Sequence, residues 1–429
     1  MKKLLLSTAA IAGLAMIATP AAAQVKLELG GYFKGYGAYV DQDENADTNS
    51  AVAGVQGAGN VNDLDFIRDT EIHFGGETTL DNGLSVGAHI EADVDGTTST
   101  GNDSFQVDES YVYFSGGWGR VNFGDEDGAS YLLQVAAPSA DSNIDGIRQY
   151  VQPVNYTAML GDANDATAAL NNLANTSGGL SVGGLVGNSV DYDQDPTGKS
   201  TKLTYLSPIM NGFQAGLSYV PDAGGADDLE GIGFDDVNDA FGAAYEAALR
   251  YEGQFNNVGV ILGAGYSHVE LEGSDFTAAG AVPTGLTAAA LGDATDDRTV
   301  WNVGADFDIG AFGLGVIYRE DDAGEIVNVG QTATAAANTG DEEETFVVGA
   351  DYTTGPFKLG ASYLTQDNTY GVENLDTERY SGGVTYTYGP GMTFRGSIGY
   401  VEHELTDIGG PGSNDIDATY VTLGTQINF

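Results

Sequence analysis

Hydrophobic and polar residues alternate along most of this chain. Near the N-terminus, Val25, Leu27 and Leu29 alternate with the charged residues Lys26 and Glu28. A repeat of two residues is the period of a β-strand, because successive side chains point to opposite faces. This segment is therefore predicted to be a strand with one apolar and one polar face.

The next clear pattern predicts a β-hairpin. Apolar and polar positions alternate over 71–77 and again over 84–93, and Asp-Asn-Gly at 81–83 separates the two runs. Asn-Gly is a strong signal for a tight turn between antiparallel strands.

Similar segments of about ten residues recur to the end of the chain, and their connections alternate between short and long. The short connections are predicted at 80–83, 115–119, 207–212, 252–257, 309–312, 353–357 and 389–391. The long ones are predicted at 41–64, 94–104, 125–200, 220–242, 270–297, 320–343, 366–377 and 402–416. These connections join sixteen strands, and an even number with short turns on one side is typical of a membrane β-barrel.

Aromatic residues flank nearly every predicted short turn. They are Trp118, Phe213, Tyr251, Phe255, Phe307, Phe312, Tyr352, Phe357 and Tyr388. Such residues form girdles at the membrane interfaces of barrels, although Tyr and Phe are also common in ordinary sheets. Together the patterns predict an all-β, sixteen-stranded antiparallel transmembrane barrel with short periplasmic turns and long extracellular loops.

Composition narrows the possible functions. The 429 residues include no Cys, so disulfides and thiol chemistry are excluded. The net charge is −47, which excludes a nucleic-acid partner. Hydrophobic residues make up 42% of the chain, which is too many for a disordered protein. A mean hydropathy of −0.14 argues against a bundle of membrane helices.

The N-terminus is predicted to be a secretory signal peptide. Lys2 and Lys3 precede an apolar run over 4–18, and Ala21 to Ala23 provide a cleavage site of small residues. We expect cleavage after Ala23, which makes 1–23 the signal peptide and 24–429 the barrel domain. These features predict export from the cytoplasm of a Gram-negative bacterium, and they leave periplasm, outer membrane and medium open as destinations.

The third long connection, 125–200, is too long to be a simple link. We expect it to fold into the barrel and narrow it. The alternative is a large extracellular loop that never enters the barrel.

The last predicted strand carries the sharpest local pattern. Val421, Leu423 and Ile427 are expected to face lipid or a neighbouring barrel, and Tyr420, Thr422 and Gln426 to face water. Phe429 is expected at the periplasmic rim, and the strand that begins at Val25 must pair with this one to close the barrel.

The chain resembles the general porins of Gram-negative outer membranes, particularly the alphaproteobacterial type. The features that carry this resemblance are the sixteen predicted strands, the last strand, the long third loop and the segment Lys-Leu-Thr-Tyr-Leu-Ser-Pro at 202–208. The resemblance implies a homotrimer in lipid and lipopolysaccharide, with one water-filled diffusion pore per barrel and the third loop as the constriction. It also implies that no cofactor is required, that the protein is not an enzyme, and that the barrel assembly machinery reads Phe429.

Charged residues within the strands are candidates for the pore lining. Five bases occupy strand positions that alternate with the membrane-facing positions, so they are expected to point into the barrel. They are Lys34, Arg250, Arg319, Arg379 and Arg395. The family resemblance places a basic wall opposite acids of the third loop, here Asp125, Glu126, Asp127, Asp141 and Asp145. On the second strand, where the family often carries Arg, this chain has Glu71 with Arg68 nearby, so the direction of the transverse field stays open.

Two histidines provide further candidate chemistry. If the first hairpin loop is centred on Asp81, His73 faces His89 and Glu71 faces Glu91. This cluster has three interpretations: a divalent-metal site, the general base of an outer-membrane hydrolase, or polar lining of the pore. A surface adhesin that acts through its loops is a further alternative to a pore.

Acidic residues are concentrated in the loops, which predicts an electronegative mouth and a preference for cations. Hard divalent cations prefer oxygen ligands, so weak Ca²⁺ or Mg²⁺ binding is expected unless the acids are simply solvated. The candidate ligands are Asp227, Asp228, Asp235, Asp236, Asp341, Glu342 and Glu343.

The fourth predicted strand has apolar and polar residues on both faces over 108–114, so its faces stay unassigned. A wall buried in a trimer would explain this pattern.

Overall fold

A computed structural model describes residues 25–43, 61–97, 103–155, 190–223, 241–271, 297–322, 342–370, 373–406 and 414–429. The predicted signal peptide, 1–23, lies outside the described residues. So do most of the long loops, including the acidic candidates Asp227, Asp228, Asp235, Asp236 and Asp341.

The described residues form sixteen strands and two single-turn helices. The strands are β1 (Lys26–Gln42), β2 (Leu64–Thr79), β3 (Ser85–Thr97), β4 (Asp103–Gly116), β5 (Gly119–Asp125), β6 (Thr201–Leu206), β7 (Phe213–Val220), β8 (Phe241–Phe255), β9 (Val258–Leu271), β10 (Arg298–Ile309), β11 (Phe312–Asp322), β12 (Glu342–Thr354), β13 (Phe357–Tyr370), β14 (Glu373–Gly389), β15 (Met392–Thr406) and β16 (Asn414–Asn428). The helices are α1 (Ala129–Leu132) and α2 (Ser142–Asp145). Within the described ranges, no helix combines the length and the hydrophobicity needed to cross a bilayer.

Each strand pairs antiparallel with its neighbours in sequence, and β1 pairs with β16 to close the barrel. At the closure, the amide of Gly31 donates to the carbonyl of Phe429 at 3.1 Å, and the amide of Phe429 donates to the carbonyl of Gly31 at 3.0 Å. Closure gives every strand two partners, so no sheet edge exposes unpaired backbone groups to lipid. The predicted closed sixteen-stranded antiparallel barrel is confirmed.

The outer face is apolar and the inner face is polar. On β16, Val421 and Leu423 are exposed on the outer face, as expected, while Tyr420 and Thr422 point inward. Those two inward side chains do not face water, however, because Tyr420 is 1% exposed and Thr422 is fully buried. The barrel interior is therefore filled on this side.

Aromatic pairs lie on neighbouring strands beside the short turns. The rings of Phe213 and Tyr251 are 4.7 Å apart between centroids, and those of Phe312 and Tyr352 are 4.8 Å apart. Several of these turns contain residues with positive φ, such as Asn211 at 53°. Asn adopts this conformation more readily than most residues, which allows the tight reversal.

Three predicted long loops are much shorter than expected. The segment 366–377 is mostly strand, since β13 extends to Tyr370 and β14 begins at Glu373. Likewise, β15 and β16 occupy much of 402–416, and β3 and β4 much of 94–104. These strand ends carry polar residues on both faces, so the apolar alternation that marks a membrane strand is missing although the backbone pairing continues.

The register of the first hairpin differs from the prediction by two residues. Thr79 pairs with Ser85, and the amide of Leu80 donates to the carbonyl of Leu84 at 2.8 Å. The loop is thus centred on residue 82 rather than on Asp81. As a result, His73 lies opposite Glu91 and not opposite His89.

A β-bulge explains the mixed faces of β4. Glu91 pairs with Glu109, yet the next residue, Ala92, pairs with Val107, so Asp108 is an extra residue in β4. The extra residue reverses the parity of the strand. Val107 and Val112 are therefore both exposed on the outer face, although they are five residues apart and would point to opposite faces of a regular strand. A buried trimer wall is not needed to explain the pattern.

Candidate functional site

The described parts of the third long loop, 126–155 and 190–200, lie against the inside of the barrel and are called the inner loop below. Their backbone runs across six strands at glycines that face the lumen: Gly216, Gly263, Gly304, Gly315, Gly349 and Gly360. A Cβ added to Gly349 would lie 2.0 Å from the carbonyl oxygen of Pro138, and one added to Gly360 would lie 2.4 Å from the amide nitrogen of Ala140. Absence of side chains at these positions is what allows the inner loop to lie flat on the wall.

Asp141 fastens the inner loop to both sides of the barrel closure. Its fully buried carboxylate accepts hydrogen bonds from Nη1 of Arg395 on β15 at 2.7 Å and from the hydroxyl of Tyr36 on β1 at 2.9 Å. It also caps α2 by accepting from the amide of Asn143 at 3.1 Å. One side chain therefore links the loop helix to two strands.

Asp145 provides a second attachment, at the end of α2. Its carboxylate accepts from the hydroxyl of Ser381 at 2.6 Å and from that of Ser362 at 3.2 Å. Burial raises the pKa of this carboxyl group. Nearby, the fully buried Arg379 donates from Nη1 to the carbonyl of Val190 at 2.9 Å, which attaches the returning segment of the loop.

The beginning of the inner loop is attached through further charged groups. Asp125 ends β5 and accepts from the hydroxyl of Thr201. The buried carboxylate of Glu126 accepts from Nδ2 of Asn122 at 2.7 Å, and burial raises its pKa to about 7. Asp127 lies 2.8 Å from the ammonium group of Lys199, at the end of the returning segment.

An arginine joins the two halves of the inner loop. The guanidinium group of Arg148 donates to Asp193 from Nη2 at 2.7 Å and to Asp195 at 2.9 Å. These two acids raise the pKa of Arg148 despite its burial. Burial raises the pKa of Asp195 to about 6. The loop is thus held together by charges as well as held to the wall.

The lumen-facing side chains of β2 and β3 keep partial contact with solvent. The side-chain exposures are 12% for His73, 21% for His89 and 16% for Glu91. By contrast, the inward residues beneath the inner loop, such as Lys202 and Arg379, are about 1% exposed. The wall formed by β2 and β3 is therefore accessible to diffusing solutes, whereas the wall beneath the inner loop is not.

Lys34 faces this accessible wall from β1. The ammonium group of Lys34 lies 2.6 Å from Asp69 and 3.7 Å from the ring centroids of Tyr32 and Tyr150. Tyr150 belongs to the inner loop, so the loop and the wall approach each other here. Lys34 is thereby neutralised by its carboxylate partner.

The other four bases expected to point inward lie in ion pairs or under the loop. Nη1 of Arg250 donates to the carbonyl of Gln134 at 2.9 Å. Arg319 is paired with Asp321 and Glu343 inside β11 and β12. All five bases expected to point inward, including Lys34, Arg379 and Arg395, are on the inner face, where they bind the loop or neighbouring acids.

Two expectations about site residues are wrong. Arg68 was expected near the pore, but it is exposed on the outer face beside Phe66, which is 83% exposed. Arg68 is two residues after Phe66, so both side chains point to the outer face of β2, whereas Glu71 lies at an inward-facing position. Glu343 was expected among loop ligands for cations, but it points inward to Arg319; Glu342 points outward.

The candidate oxygen ligands that can be located are few. Glu342 has a carboxylate oxygen within 4.8 Å of oxygens from Glu320 and Glu344 on the outer face. The remaining acidic candidates lie outside the described residues.

Sequence reasoning missed the glycines that receive the inner loop, together with Asp69 and Arg148. A detectable signal existed for the glycines, because several strands have one at a lumen-facing position. Gly in a strand interior often marks a close approach of another backbone. Nothing local marks Asp69 or Arg148, whose partners come from distant segments.

Comparisons with known proteins agree with this architecture. A family model of Gram-negative porins matches residues 7–406. Uncharacterized proteins from Rickettsia felis and Rickettsia conorii are 28% identical over 130 residues and 24% identical over 143 residues, which is 29% and 32% of this chain. The match spans only 27% and 30% of the length of these curated relatives.

Two solved structures share the fold over nearly the whole chain. An anion-selective porin from Comamonas acidovorans has a TM-score of 0.55 at 15% identity, with 95% of this chain and 100% of that chain covered. The trimer form of the outer-membrane protein OmpT from Vibrio cholerae has a TM-score of 0.53 at 14% identity, with 94% and 99% covered. The family match extends over most of the sequence and the barrel has the fold of porin structures, so the chain belongs to the Gram-negative porins.

Proposed function

We propose that the channel carries small hydrophilic solutes and ions by passive diffusion and prefers cations. The observation that carries this proposal is the charge of the accessible wall. Asp69, Glu71 and Glu91 face the lumen from β2 and β3, and Lys34, the base beside them, is paired with Asp69. Carboxylates along a solvent-filled passage raise the local concentration of cations.

The net charge of −47 supports the same preference. The fold-level neighbour from Comamonas acidovorans is anion-selective, but at 15% identity the likeness extends to the fold and not to the lining residues. The selectivity of this channel therefore depends on its own lining residues.

Reversal potentials in planar bilayers test this proposal. With asymmetric KCl across single channels, we expect a potential of the sign given by K⁺ preference, weakening as salt rises because the Debye length falls from about 10 Å at 0.1 M to about 3 Å at 1 M. Chloride preference at low salt would reject the cation-preferring pore. Absence of any conductance from well-folded protein would instead reject the channel and favour an adhesin.

We further propose that three barrels assemble as a homotrimer in lipid and lipopolysaccharide. The support is the trimeric form of the Vibrio cholerae neighbour. The largely apolar outer face can contact lipid or a neighbouring barrel. Two further expectations stay predictions: that the assembly machinery recognises Phe429, and that the signal peptide is cleaved after Ala23.

Weak Ca²⁺ or Mg²⁺ binding around Glu342 also stays a prediction. A chelator that leaves the thermal stability of the oligomer unchanged would argue against the bound cations.

The alternative of a hydrolase has little geometric support among the described residues. Nδ1 of His403 lies 2.8 Å from the hydroxyl of Thr377, which is a contact that an imidazole base could use. Both side chains are fully buried, so a substrate has no access to them. A lipase assay on the purified oligomer tests this alternative, and we expect no turnover.

Cation preference should weaken as the pH falls from 8 to 5.5. Ordinary carboxyl groups titrate near pH 4 and stay charged over this range. Glu126 and Asp195 have pKa values raised by burial to about 7 and about 6, so they lose their negative charge within it. The measurement is the reversal potential at fixed salt as a function of pH.

The matched variant is Glu126→Gln combined with Asp195→Asn. It should be less cation-preferring at pH 8 and should change less on acidification. Burial also raises the pKa of Asp191 to about 7, so part of the pH response is expected to remain. An undiminished response in the double variant would contradict the assignment to these two carboxyl groups.

A further inference from the structure

Two histidines and two glutamates form a compact group on the accessible wall. Glu71 and His73 lie on β2, and His89 and Glu91 lie on β3, with all four side chains pointing into the barrel. His73 faces Glu91 directly in the register, and the small Gly75 faces His89. The imidazoles of His73 and His89 lie beside each other, with ring centroids 5.6 Å apart.

From this geometry we propose that His73, His89 and Glu91 bind a divalent transition-metal ion, of which Zn²⁺ is the representative. One ligand atom from each residue lies within 4.8 Å of the other two. Nδ1 of His73 is 2.9 Å from Oε2 of Glu91, and Nε2 of His89 is 3.4 Å from the same oxygen. Two ligands at about 2.1 Å from a tetrahedral zinc ion lie about 3.4 Å apart, so small side-chain adjustments suffice.

Surrounding groups would orient these ligands. Nε2 of His73, on the far side of the ring from Glu91, is 3.5 Å from Oε2 of Glu71. A metal-bound histidine commonly donates its other ring N–H to a carboxylate, which fixes the tautomer and the ring orientation. The ring of Tyr111 lies 5.3 Å from that of His89 and restricts it from the other side.

The charge of the cluster also favours a cation. Glu71 and Glu91 are close enough to interact with each other, and Lys34 on the neighbouring strand is paired with Asp69 instead. Two carboxylates held together with two imidazoles attract a positive ion, and the partial exposure of all three ligands lets it arrive from the lumen.

The ligand types determine which ion is preferred. Imidazole nitrogen suits zinc, copper and nickel, whereas Ca²⁺ and Mg²⁺ take sets of oxygen ligands. Two histidines with one carboxylate leave a coordination position for water, as in open zinc sites. A bound divalent ion would offset the negative charge of the accessible wall, so it should reduce the cation current.

Metal binding is tested first without reference to conductance. Isothermal titration of the detergent-solubilised oligomer with ZnCl₂ should give one saturable site per chain in excess of any loop sites, and His89→Gln should remove it. The matched control is His268→Gln, which changes a histidine on β9 outside the cluster and should keep the site. MgCl₂ should not compete for it.

Conductance provides the second test, and it rests on the proposed channel function. Zn²⁺ should lower the single-channel K⁺ current of the wild type and of His268→Gln, with recovery on adding EDTA, and should have a much smaller effect on His89→Gln. Equal zinc binding and equal block in His89→Gln and the wild type would overturn the proposal. Failure to form pores would reject the channel, and the titration would still decide the metal site.

Discussion

Replacing Gly349 with alanine is expected to narrow the channel. The added Cβ would lie 2.0 Å from the carbonyl oxygen of Pro138, which is far inside van der Waals contact. The wall at β12 is hydrogen-bonded on both sides to β11 and β13, so it yields less readily than the inner loop. The loop must therefore move toward the lumen, and the single-channel conductance in 1 M KCl should fall. Overpacking of this kind should also cost about 1–3 kcal/mol of stability.

Gly75→Ala is the matched control, since Gly75 also faces the lumen but lies on β2, away from the loop contacts of Gly349. A Cβ there would meet Cβ of Glu28 at 3.4 Å, which is an ordinary contact. Its conductance should match that of the wild type. If Gly349→Ala has unchanged conductance while the oligomer remains intact, the inner loop is not held against the wall as described.

The number and order of strands could be predicted from sequence because a membrane strand must alternate and must end at a turn. Strand ends were predicted less well. Polar residues occupy both faces of β13 near Asp367 and of β14 near Asp376, which pair with each other although the apolar pattern has stopped. Backbone pairing requires no particular side chain, so the hydrophobic pattern underestimates the length of these strands.

The strand register decides whether a side chain points into the barrel or out of it, and a shift of one residue exchanges the two faces. Parity correctly indicates the inward direction of Arg319, but the same reasoning cannot detect the bulge at Asp108. For the inner loop, Asp141 is among the acids that the sequence singled out. Its partner Arg395 is 254 residues away, so only the folded barrel reveals that this carboxylate anchors the loop rather than facing solutes.

Replacing Arg319 with methionine is expected to destabilise the barrel by about 3–5 kcal/mol, the range for a buried charge that loses its partner. Arg319 is buried inside the barrel, where its guanidinium group binds the carboxylates of Asp321 and Glu343. Asp321 would keep its bidentate pair with Arg298, at 2.9 and 2.7 Å. Glu343 would lose the arginine to which it is bonded. Unfolding by denaturant in detergent micelles measures the loss.

Two further variants separate this effect from a general loss of charge. Lys358→Met removes a pair with Asp351 at 2.9 Å in which the lysine side chain is 37% exposed, and such exposed pairs contribute about 1 kcal/mol or less. Combining Arg319→Met with Glu343→Gln should recover part of the lost stability, because a neutral amide then replaces the carboxylate that has lost its arginine. If Arg319→Met is no more destabilising than Lys358→Met, or if the added Glu343→Gln brings no recovery, the Arg319 pairing does not stabilise the barrel in this way.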